Sequence, residues 1–110
     1  MKRMATLTLI GVSGKKYTFD VYPYGTIFDA IGAVYYISRR TEKADGTGSH
    51  DQIYIGETGD LSERFDNHHK ETCFKMYSAN CINIYEESDE RKRLNIEKDL
   101  IDAYNPPCNG

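Results

Sequence analysis

The chain has 110 residues, of which 39% are hydrophobic, and a formal net charge of −3. This length suits one domain with a single apolar core, the hydrophobic share is too high for a disordered tail, and no apolar run is long enough to cross a membrane. The acidic balance argues against a large basic footprint that binds nucleic acid through its phosphates alone.

Residues 1–31 are predicted to form a β-hairpin. The amino terminus is basic, but two threonines break its apolar stretch, so we interpret it as a strand and not as a secretion signal. Apolar residues alternate at Leu7 and Leu9 and again over residues 17–21, on either side of a Ser-Gly-Lys-Lys sequence that is typical of a turn. This pattern predicts two paired strands.

Two further strands are predicted in the middle of the chain. The β-branched and aromatic run from Ala33 to Ile37 predicts a third strand, and residues 53–56 predict a fourth. The polar residues 41–52 between them include two glycines, which is typical of a surface loop. We therefore expect two adjacent antiparallel strands joined by a long loop.

A helix is predicted to begin after Asp60. Asp60 is a good N-cap, and Glu63 stands at the third helical position, an acidic relative of the capping box. We expect this helix to run to about Lys70. Residues 71–79 favour a further helical turn or two.

A fifth strand and a last helix complete the predicted elements. Ile82 and Ile84 alternate in the strand, and Ser88 can cap a helix that runs to Tyr104 and stops before Pro106. The elements together predict one α+β domain over residues 1–110, in which helices flank a small central antiparallel sheet.

The cysteines Cys73, Cys81 and Cys108 are odd in number and lack CxxC spacing. Neither a disulfide framework nor a short zinc pattern is indicated. We therefore expect reduced thiols and a cytoplasmic location. A structural zinc site that combines these cysteines with a histidine such as His69 ranks last among the hypotheses.

A carboxylate falls inside the apolar arc of the last helix. At 100° per residue and with Leu94 at zero, Leu100 lies at about 240°, Tyr104 at about 280° and Glu97 at about 300°. An ionised carboxylate that is buried there needs a cation, hydrogen-bond donors or a metal. Taken alone, Glu97 is explained more simply by a structural ion pair or by a place at the edge of the apolar face.

The helix after Asp60 shows the same pattern. With Leu61 at zero, Phe65 lies at about 40°, His68 at about 340° and Arg64 at about 300°. Each of the two polar residues is common at surfaces or boundaries when it occurs alone. Two helices that direct an acid, an arginine and a histidine inward are a stronger indication of a site.

Tyrosines on the neighbouring strands supply further polar groups. Because side chains alternate along a strand, Tyr35 and Tyr36 face opposite sides, and only one of them can share a face with Tyr54. Tyrosines in strands are usually packing residues, so these positions alone are a weak signal.

The segments AVYYI, YIG, GETGDLSERFDNHH and IEKDLIDAYNPPCN follow one another over about residues 32–109. In this order they resemble the GIY-YIG endonuclease domain, whose pattern is a GIY strand, a YIG strand, a Gly-x-Thr-x-x-Leu-x-x-Arg-x-x-x-His run, a later glutamate and an asparagine. The matching residues are Tyr35, Tyr54, Gly56, Thr58, Leu61, Arg64, His68, Glu97 and Asn109. The resemblance implies the GIY-YIG nuclease fold over residues 32–110, with residues 1–31 as an extra hairpin.

The sequence departs from the family pattern in three respects. Ala33-Val34-Tyr35 replaces GIY, with Gly32 one place early, but the chemically useful tyrosine is kept. The spacing from Tyr35 to Tyr54 is longer than usual, and the polar loop absorbs the difference. Glu57 stands where some members carry a lysine, so a general base must be a tyrosine or water.

The resemblance implies hydrolysis of phosphodiester bonds with one divalent ion, Mg²⁺ or Mn²⁺. Glu97 is expected to hold this ion, because a lone carboxylate with waters suits a hard octahedral cation. Arg64 would clamp the scissile phosphate through its planar guanidinium. Tyr35 is favoured as the general base, with a pKa lowered by Arg64 or the metal, and Tyr54 would position the phosphate. His68 would relay a proton or form a hydrogen bond with the phosphate or with a tyrosine hydroxyl.

The remaining family positions are expected to support the site, with Asn109 as a brace from the carboxyl terminus and Gly56 and Thr58 near the substrate. The acidic balance favours structured DNA, or DNA delivered by a recruiting protein partner, and no association with a membrane. The competing hypothesis is a catalytically inactive module that binds nucleic acid or protein, since a fold alone does not establish activity.

Overall fold

A computed structural model describes residues 3–65 and 68–110. Its elements are, in chain order, β1 (Ala5–Ile10), β2 (Lys16–Pro23), β3 (Ala33–Glu42), β4 (Gly48–Thr58), α1 (Leu61–Arg64), α2 (Glu71–Met76), β5 (Cys81–Glu86), α3 (Glu90–Tyr104) and a 3₁₀ turn (Pro107–Asn109). The five strands form one antiparallel sheet in the order β1-β2-β5-β3-β4. The α+β class predicted from the sequence is confirmed. Among the helices of these described residues, none has both the length and the apolar character needed to cross a membrane.

The amino-terminal hairpin belongs to the central sheet. β1 and β2 pair as predicted, and β2 also pairs with β5 from Asp20 to Pro23. The hairpin turn is attached to α3, because Asp99 accepts hydrogen bonds from the Ser13 N–H at 2.9 Å and from the Tyr17 hydroxyl at 2.8 Å. The hairpin therefore extends the sheet and holds the last helix in place.

The sheet has an apolar core on each face. Tyr35 packs on one face with Tyr54 and with Leu61 of α1, whereas Tyr36 packs on the other face with Ile96 of α3. Successive strand residues point to opposite faces, which is why adjacent tyrosines separate in this way. The prediction that only one of them shares a face with Tyr54 is confirmed, and that residue is Tyr35.

The β3–β4 hairpin is longer than the sequence indicated. We expected a surface loop over residues 41–52, but β3 continues through Glu42 and β4 begins at Gly48. A backbone hydrogen bond of 2.7 Å from the Lys43 N–H to the Thr47 carbonyl closes the turn. The polar composition that suggested a loop reflects exposure, because this end of an antiparallel hairpin faces solvent and needs no apolar residues.

The helix after Asp60 is shorter than predicted. Asp60 caps it as expected, because its carboxylate accepts the Ser62 N–H at 2.9 Å. However, α1 ends at Arg64 and not near Lys70. Residues 66 and 67 of the predicted helix lie outside the described residues. The ring of His68 accepts the Lys70 N–H at 3.0 Å, and such a local side-chain contact competes with continued helix. The inward direction of His68 therefore does not come from helical spacing.

The other two helices occur where they were predicted, with one different cap. α2 supplies the helical turns expected after residue 70. α3 begins after Asp89, whose carboxylate accepts the Lys92 N–H at 3.1 Å, and Ser88 is not the cap. Asp89 is better placed because its own backbone is extended at the position before the first turn. The helix ends at Tyr104, as predicted.

A disulfide bond joins Cys73 of α2 to Cys108 of the 3₁₀ turn, and Cys81 is free and buried. The expectation of three reduced thiols is therefore wrong for two of them. The bonded residues are 35 positions apart, and only the folded chain brings them together, so their spacing carried no signal. The bond also removes the zinc hypothesis, since two of the three proposed sulfur ligands are bonded to each other.

Loss of this disulfide is expected to lower the free energy of unfolding by about 2–4 kcal/mol, because the cross-link restricts the unfolded chain. Urea unfolding of oxidised protein and of protein reduced with TCEP measures the effect. The Cys73→Ser/Cys108→Ser double variant is the matched control, and TCEP should leave its stability unchanged. An equal effect of TCEP on the double variant would show that another group is responsible.

Candidate active site

The hydroxyl of Tyr35 is the centre of the site. Nε of Arg64 donates a hydrogen bond to it at 3.0 Å, and Nε2 of His68 lies 2.7 Å from the same oxygen. The ring of Tyr54 on β4 lies 6.0 Å from the Tyr35 ring, centroid to centroid. Four residues that the sequence singled out therefore converge from β3, β4, α1 and the segment after α1.

His68 acts here as a neutral hydrogen-bond donor. Its Nδ1 accepts the backbone N–H of Lys70 at 3.0 Å, so the proton of the neutral ring is on Nε2 and is donated to Tyr35. Burial of the ring, together with the nearby charge of Arg64, lowers the pKa of His68 to about 4. At neutral pH, His68 and Arg64 both donate to the same tyrosine oxygen.

The ionisation of the two tyrosines differs from the expectation. Burial raises the pKa of Tyr35 and outweighs the hydrogen bond from Arg64, which lowers it. The lowered pKa expected of a general base is therefore not found in the protein alone. Burial also raises the pKa of Tyr54, against the charge of Arg64. Tyr54 keeps 8% of its surface exposed, whereas Tyr35 keeps none.

Gly56 and Thr58 shape β4 where it enters the site. A Cβ atom at Gly56 would lie 2.5 Å from the Tyr35 hydroxyl and 2.8 Å from the Tyr54 ring, so no larger residue fits between the tyrosines. The Thr58 hydroxyl accepts the Asp60 N–H at 3.1 Å and shapes the turn into α1. Both residues therefore support the position of the site.

Asn109 ties the carboxyl-terminal turn to β4. Its side-chain oxygen accepts the Ile55 N–H and its amide nitrogen donates to the Ile55 carbonyl, both at 2.8 Å. Ile55 stands next to Tyr54 in β4. Cys108, which precedes Asn109, is bonded to Cys73. These contacts agree with the bracing role expected of Asn109.

Glu97 lies half-buried on α3, next to Glu57 and within electrostatic reach of Arg64. Burial and the charge of Glu57 raise the pKa of Glu97, while the charge of Arg64 lowers it. The charge of Glu97 in turn raises the pKa of Tyr54. The carboxylate therefore belongs to the same electrostatic environment as the arginine and the tyrosine.

Sequence reasoning missed Arg93, one helical turn before Glu97. Arg93 is only 6% exposed, and its Nε donates to the Glu57 carboxylate at 3.0 Å. Its Nη1 donates to two backbone carbonyls, at 2.8 and 3.1 Å. Leu94, the reference position at the edge of the predicted apolar arc, is 46% exposed. The available signal was the helical spacing of Arg93 from the two apolar residues that follow it on the buried face of α3.

Glu97 is the residue of the site that could contribute to holding a metal ion. Within residues 3–65 and 68–110, no group of three or more His, Cys, Asp or Glu side chains is arranged to hold a metal ion. Glu97 offers one carboxylate in a place where burial and Glu57 disfavour its negative charge, so a cation would be stabilised there. A single carboxylate fits Mg²⁺ or Mn²⁺, which keep several waters, and does not fit zinc.

The stability of the fold is expected to fall as the pH falls from 6.5 towards 4 because of His68. The pKa of its ring is lowered to about 4 from 6.5, so below pH 6.5 the unfolded chain takes up a proton that the folded chain does not. The loss amounts to at most about 3 kcal/mol. Urea unfolding at several pH values should show a flatter profile for His68→Gln than for the wild type. Identical profiles for wild type and His68→Gln would contradict the assignment.

The arrangement contains groups that suit the binding of an anion. Arg64 uses its Nε for Tyr35, and a guanidinium carries four further N–H donors that suit phosphate oxygens. A tyrosine hydroxyl at the rim and a carboxylate that favours a cation lie in the same environment.

Comparisons of the chain with protein-family models, with curated proteins and with solved structures found no match.

Proposed function

We propose that the protein is a divalent-metal-dependent endonuclease of the GIY-YIG type that hydrolyses phosphodiester bonds in DNA. The observation that carries this proposal is the convergence of Arg64 and His68 on the Tyr35 hydroxyl, at 3.0 and 2.7 Å, with Tyr54 beside them. An accidental resemblance would give no reason for the matched residues to lie close together in the fold. Their convergence therefore supports the resemblance. The α+β architecture is compatible with the GIY-YIG fold.

In this proposal Arg64 binds the scissile phosphate. The hydrogen bond of its Nε to Tyr35 fixes the plane of the guanidinium before substrate arrives. A fixed cation that faces the phosphoryl oxygens stabilises the negative charge that develops on them in the transition state. His68 supports this by holding the tyrosine oxygen from the other side.

Tyr35 and Tyr54 have different roles in this proposal, one in positioning Arg64 and the other as the general base. Tyr35 is fully buried and its oxygen already receives two donors, so its main task is to position Arg64. Tyr54 borders solvent and is the tyrosine better able to take a proton from the attacking water. Its raised pKa must fall when substrate and cation bind.

Glu97 would hold the divalent ion. When bound, Mg²⁺ or Mn²⁺ supplies positive charge beside the leaving oxygen. The Glu57 carboxylate forms an ion pair with Arg93 at 3.0 Å. Because Glu57 has this structural partner, Glu97 is the carboxylate that would bind the metal ion.

The net charge of −3 supports a substrate that is structured or delivered by a recruiting protein, since the chain lacks the positive charge for tight binding to plain duplex DNA.

The cytoplasmic location stays a prediction. The Cys73–Cys108 disulfide bears on it, because such bonds persist in oxidising compartments. Counting free thiols in protein alkylated directly from cells shows whether Cys73 and Cys108 are bonded there, as an oxidising compartment would require.

The test is a cleavage panel of labelled single-stranded, duplex, flap and branched DNA and the matching RNAs, with Mg²⁺, Mn²⁺ or EDTA. We expect metal-dependent cleavage of flap or branched DNA to exceed that of plain duplex. Failure to cleave any substrate with either metal would contradict the proposal.

The burial of Tyr35 favours a second candidate, a binding module without turnover. Its pKa is raised, so the protein alone does not offer the phenolate that the family resemblance led us to expect. In the same panel this candidate predicts binding of nucleic acid or a partner protein without any product.

A further inference from the structure

A second polar cluster lies at the other end of β3 and β4. Ser38 Oγ lies 2.8 Å from Nδ1 of His50, and Nδ2 of Asn83 donates to Ser38 Oγ at 2.9 Å. Arg40 stands opposite His50 in the strand register. Arg40 is five residues beyond Tyr35, or about 17 Å along the strand, and alternation puts it on the other face of the sheet. The cluster is therefore separate from the candidate active site.

The hydrogen bonds determine which nitrogen of His50 carries its proton. The Asn83 amide nitrogen also donates to the Tyr36 carbonyl at 2.8 Å, so it is the donor in its contact with Ser38. Ser38 is fully buried, and among the described residues Nδ1 of His50 is the one acceptor within reach of its hydroxyl hydrogen, so the neutral ring carries its proton on Nε2. This Nε2–H donates to no residue that the structure describes.

Arg40 carries a largely buried charge with a weak counter-ion. Its side chain is 13% exposed, and the nearest acidic oxygen, on Glu42, is 4.0 Å away on a side chain that is 67% exposed. In the described ranges 3–65 and 68–110, the guanidinium donates no hydrogen bond. A charge with so little exposure and no hydrogen-bond acceptor among the described residues is costly, so an anion beside it would be stabilising.

Both donors line one cleft of about 290 Å³. Its wall includes Gly48, where a Cβ would collide with the Arg40 guanidinium, so this glycine leaves room for the charge. Residues 5–7 of β1 line the opposite side, because the sheet curls and brings its two edge strands together. The volume equals that of about ten waters in the liquid, enough for a hydrated tetrahedral anion.

We propose that the Arg40–His50 cleft binds a phosphate group, as a free phosphate or as part of a nucleic-acid backbone. The planar guanidinium of Arg40 offers paired donors to two oxygens. The Nε2–H of His50 adds a donor on the same cleft, which suits an anion with more than two oxygens better than a carboxylate. The inference does not depend on the proposed nuclease activity.

Titration of the full-length protein with sodium phosphate, followed by ¹H–¹⁵N NMR, tests the proposal. We expect saturable shifts of the backbone signal of Gly48 and of the ring signals of His50. Arg40→Met should weaken the apparent affinity by at least about tenfold. Arg39→Met is the matched control, because Arg39 is exposed and alternation puts it on the other face of β3, and it should leave the affinity unchanged.

The titration alone can overturn the proposal, whether or not the variants fold. Absence of shifts at the cleft in the wild type with both sodium phosphate and single-stranded DNA would do so, as would acetate acting as strongly as phosphate. Equal affinities of wild type and Arg40→Met would also contradict it. A short single-stranded DNA in EDTA forms the second arm. Shifts with both ligands support a general phosphate site, and shifts with DNA alone support a backbone contact.

Discussion

Glu97→Gln is expected to reduce metal-dependent cleavage by at least about 10³-fold, because the substitution removes the carboxylate charge that favours the cation and keeps the size of the side chain. A cation beside the leaving oxygen contributes several kcal/mol to the stabilisation of the transition state, and about 4 kcal/mol corresponds to this factor. The measurement is the single-turnover rate on the best substrate of the cleavage panel. Mn²⁺ binding, followed by electron paramagnetic resonance, should weaken in parallel.

Glu90→Gln is the matched control for Glu97→Gln. Both glutamates are on α3, but Glu90 is exposed in its first turn. We expect the wild-type rate and Mn²⁺ affinity for Glu90→Gln. Loss of cleavage in Glu97→Gln with unchanged Mn²⁺ binding would show that Glu97 acts in another way.

Arg64→Ala is expected to lower the single-turnover rate by roughly 10²-fold or more, because a preorganised donor to the developing phosphoryl charge is lost. Arg64→Lys should recover only part of the rate, since an ammonium lacks the planar pair of donors and cannot keep the same contact with Tyr35. Arg91→Ala, at an exposed position on α3, is the control for the loss of one positive charge.

A second measurement separates catalysis from folding in the Arg64 variants. The Arg64 side chain contacts buried Tyr35, so Arg64→Ala also removes a hydrogen bond from the core. Urea unfolding of each variant shows whether it remains folded under the assay conditions. A folded Arg64→Ala protein with the wild-type rate would exclude Arg64 from the chemistry.

The strands could be predicted because their local pattern determines them. Alternation identified both strands of the first hairpin and separated Tyr35 from Tyr36 correctly. The exposed end of the β3–β4 hairpin could not be predicted in this way, because its polar residues satisfy a strand and a loop equally well. Its pairing depends on the partner strand, which composition does not reveal.

The candidate site was predicted in part for the wrong reason. His68 was placed inward by the spacing of a helix that ends at Arg64, and it reaches Tyr35 through its own ring contacts instead. Arg93 was overlooked although its helical spacing from Ile96 and Leu100 puts it on the buried face of α3, and only the fold shows that its partner is Glu57 on β4. Contacts between residues far apart in sequence are the information that a single sequence does not carry.

The Cys73–Cys108 pair shows the same limit. The cysteines stand on α2 and on the carboxyl-terminal turn, and each position has no distinguishing pattern of its own. The contact of the turn with β4 through Asn109 brings Cys108 to the side of the sheet where α2 packs. Only this tertiary contact makes the bond available.

Single-turnover cleavage of one flap DNA by wild type and Glu97→Gln, each in Mg²⁺ and in EDTA, tests directly whether the protein is a metal-dependent endonuclease that uses Glu97. Product is expected for the wild type in Mg²⁺, with background levels in the other three reactions. Equal cleavage by the two proteins in Mg²⁺, or cleavage by the wild type in EDTA, would contradict it.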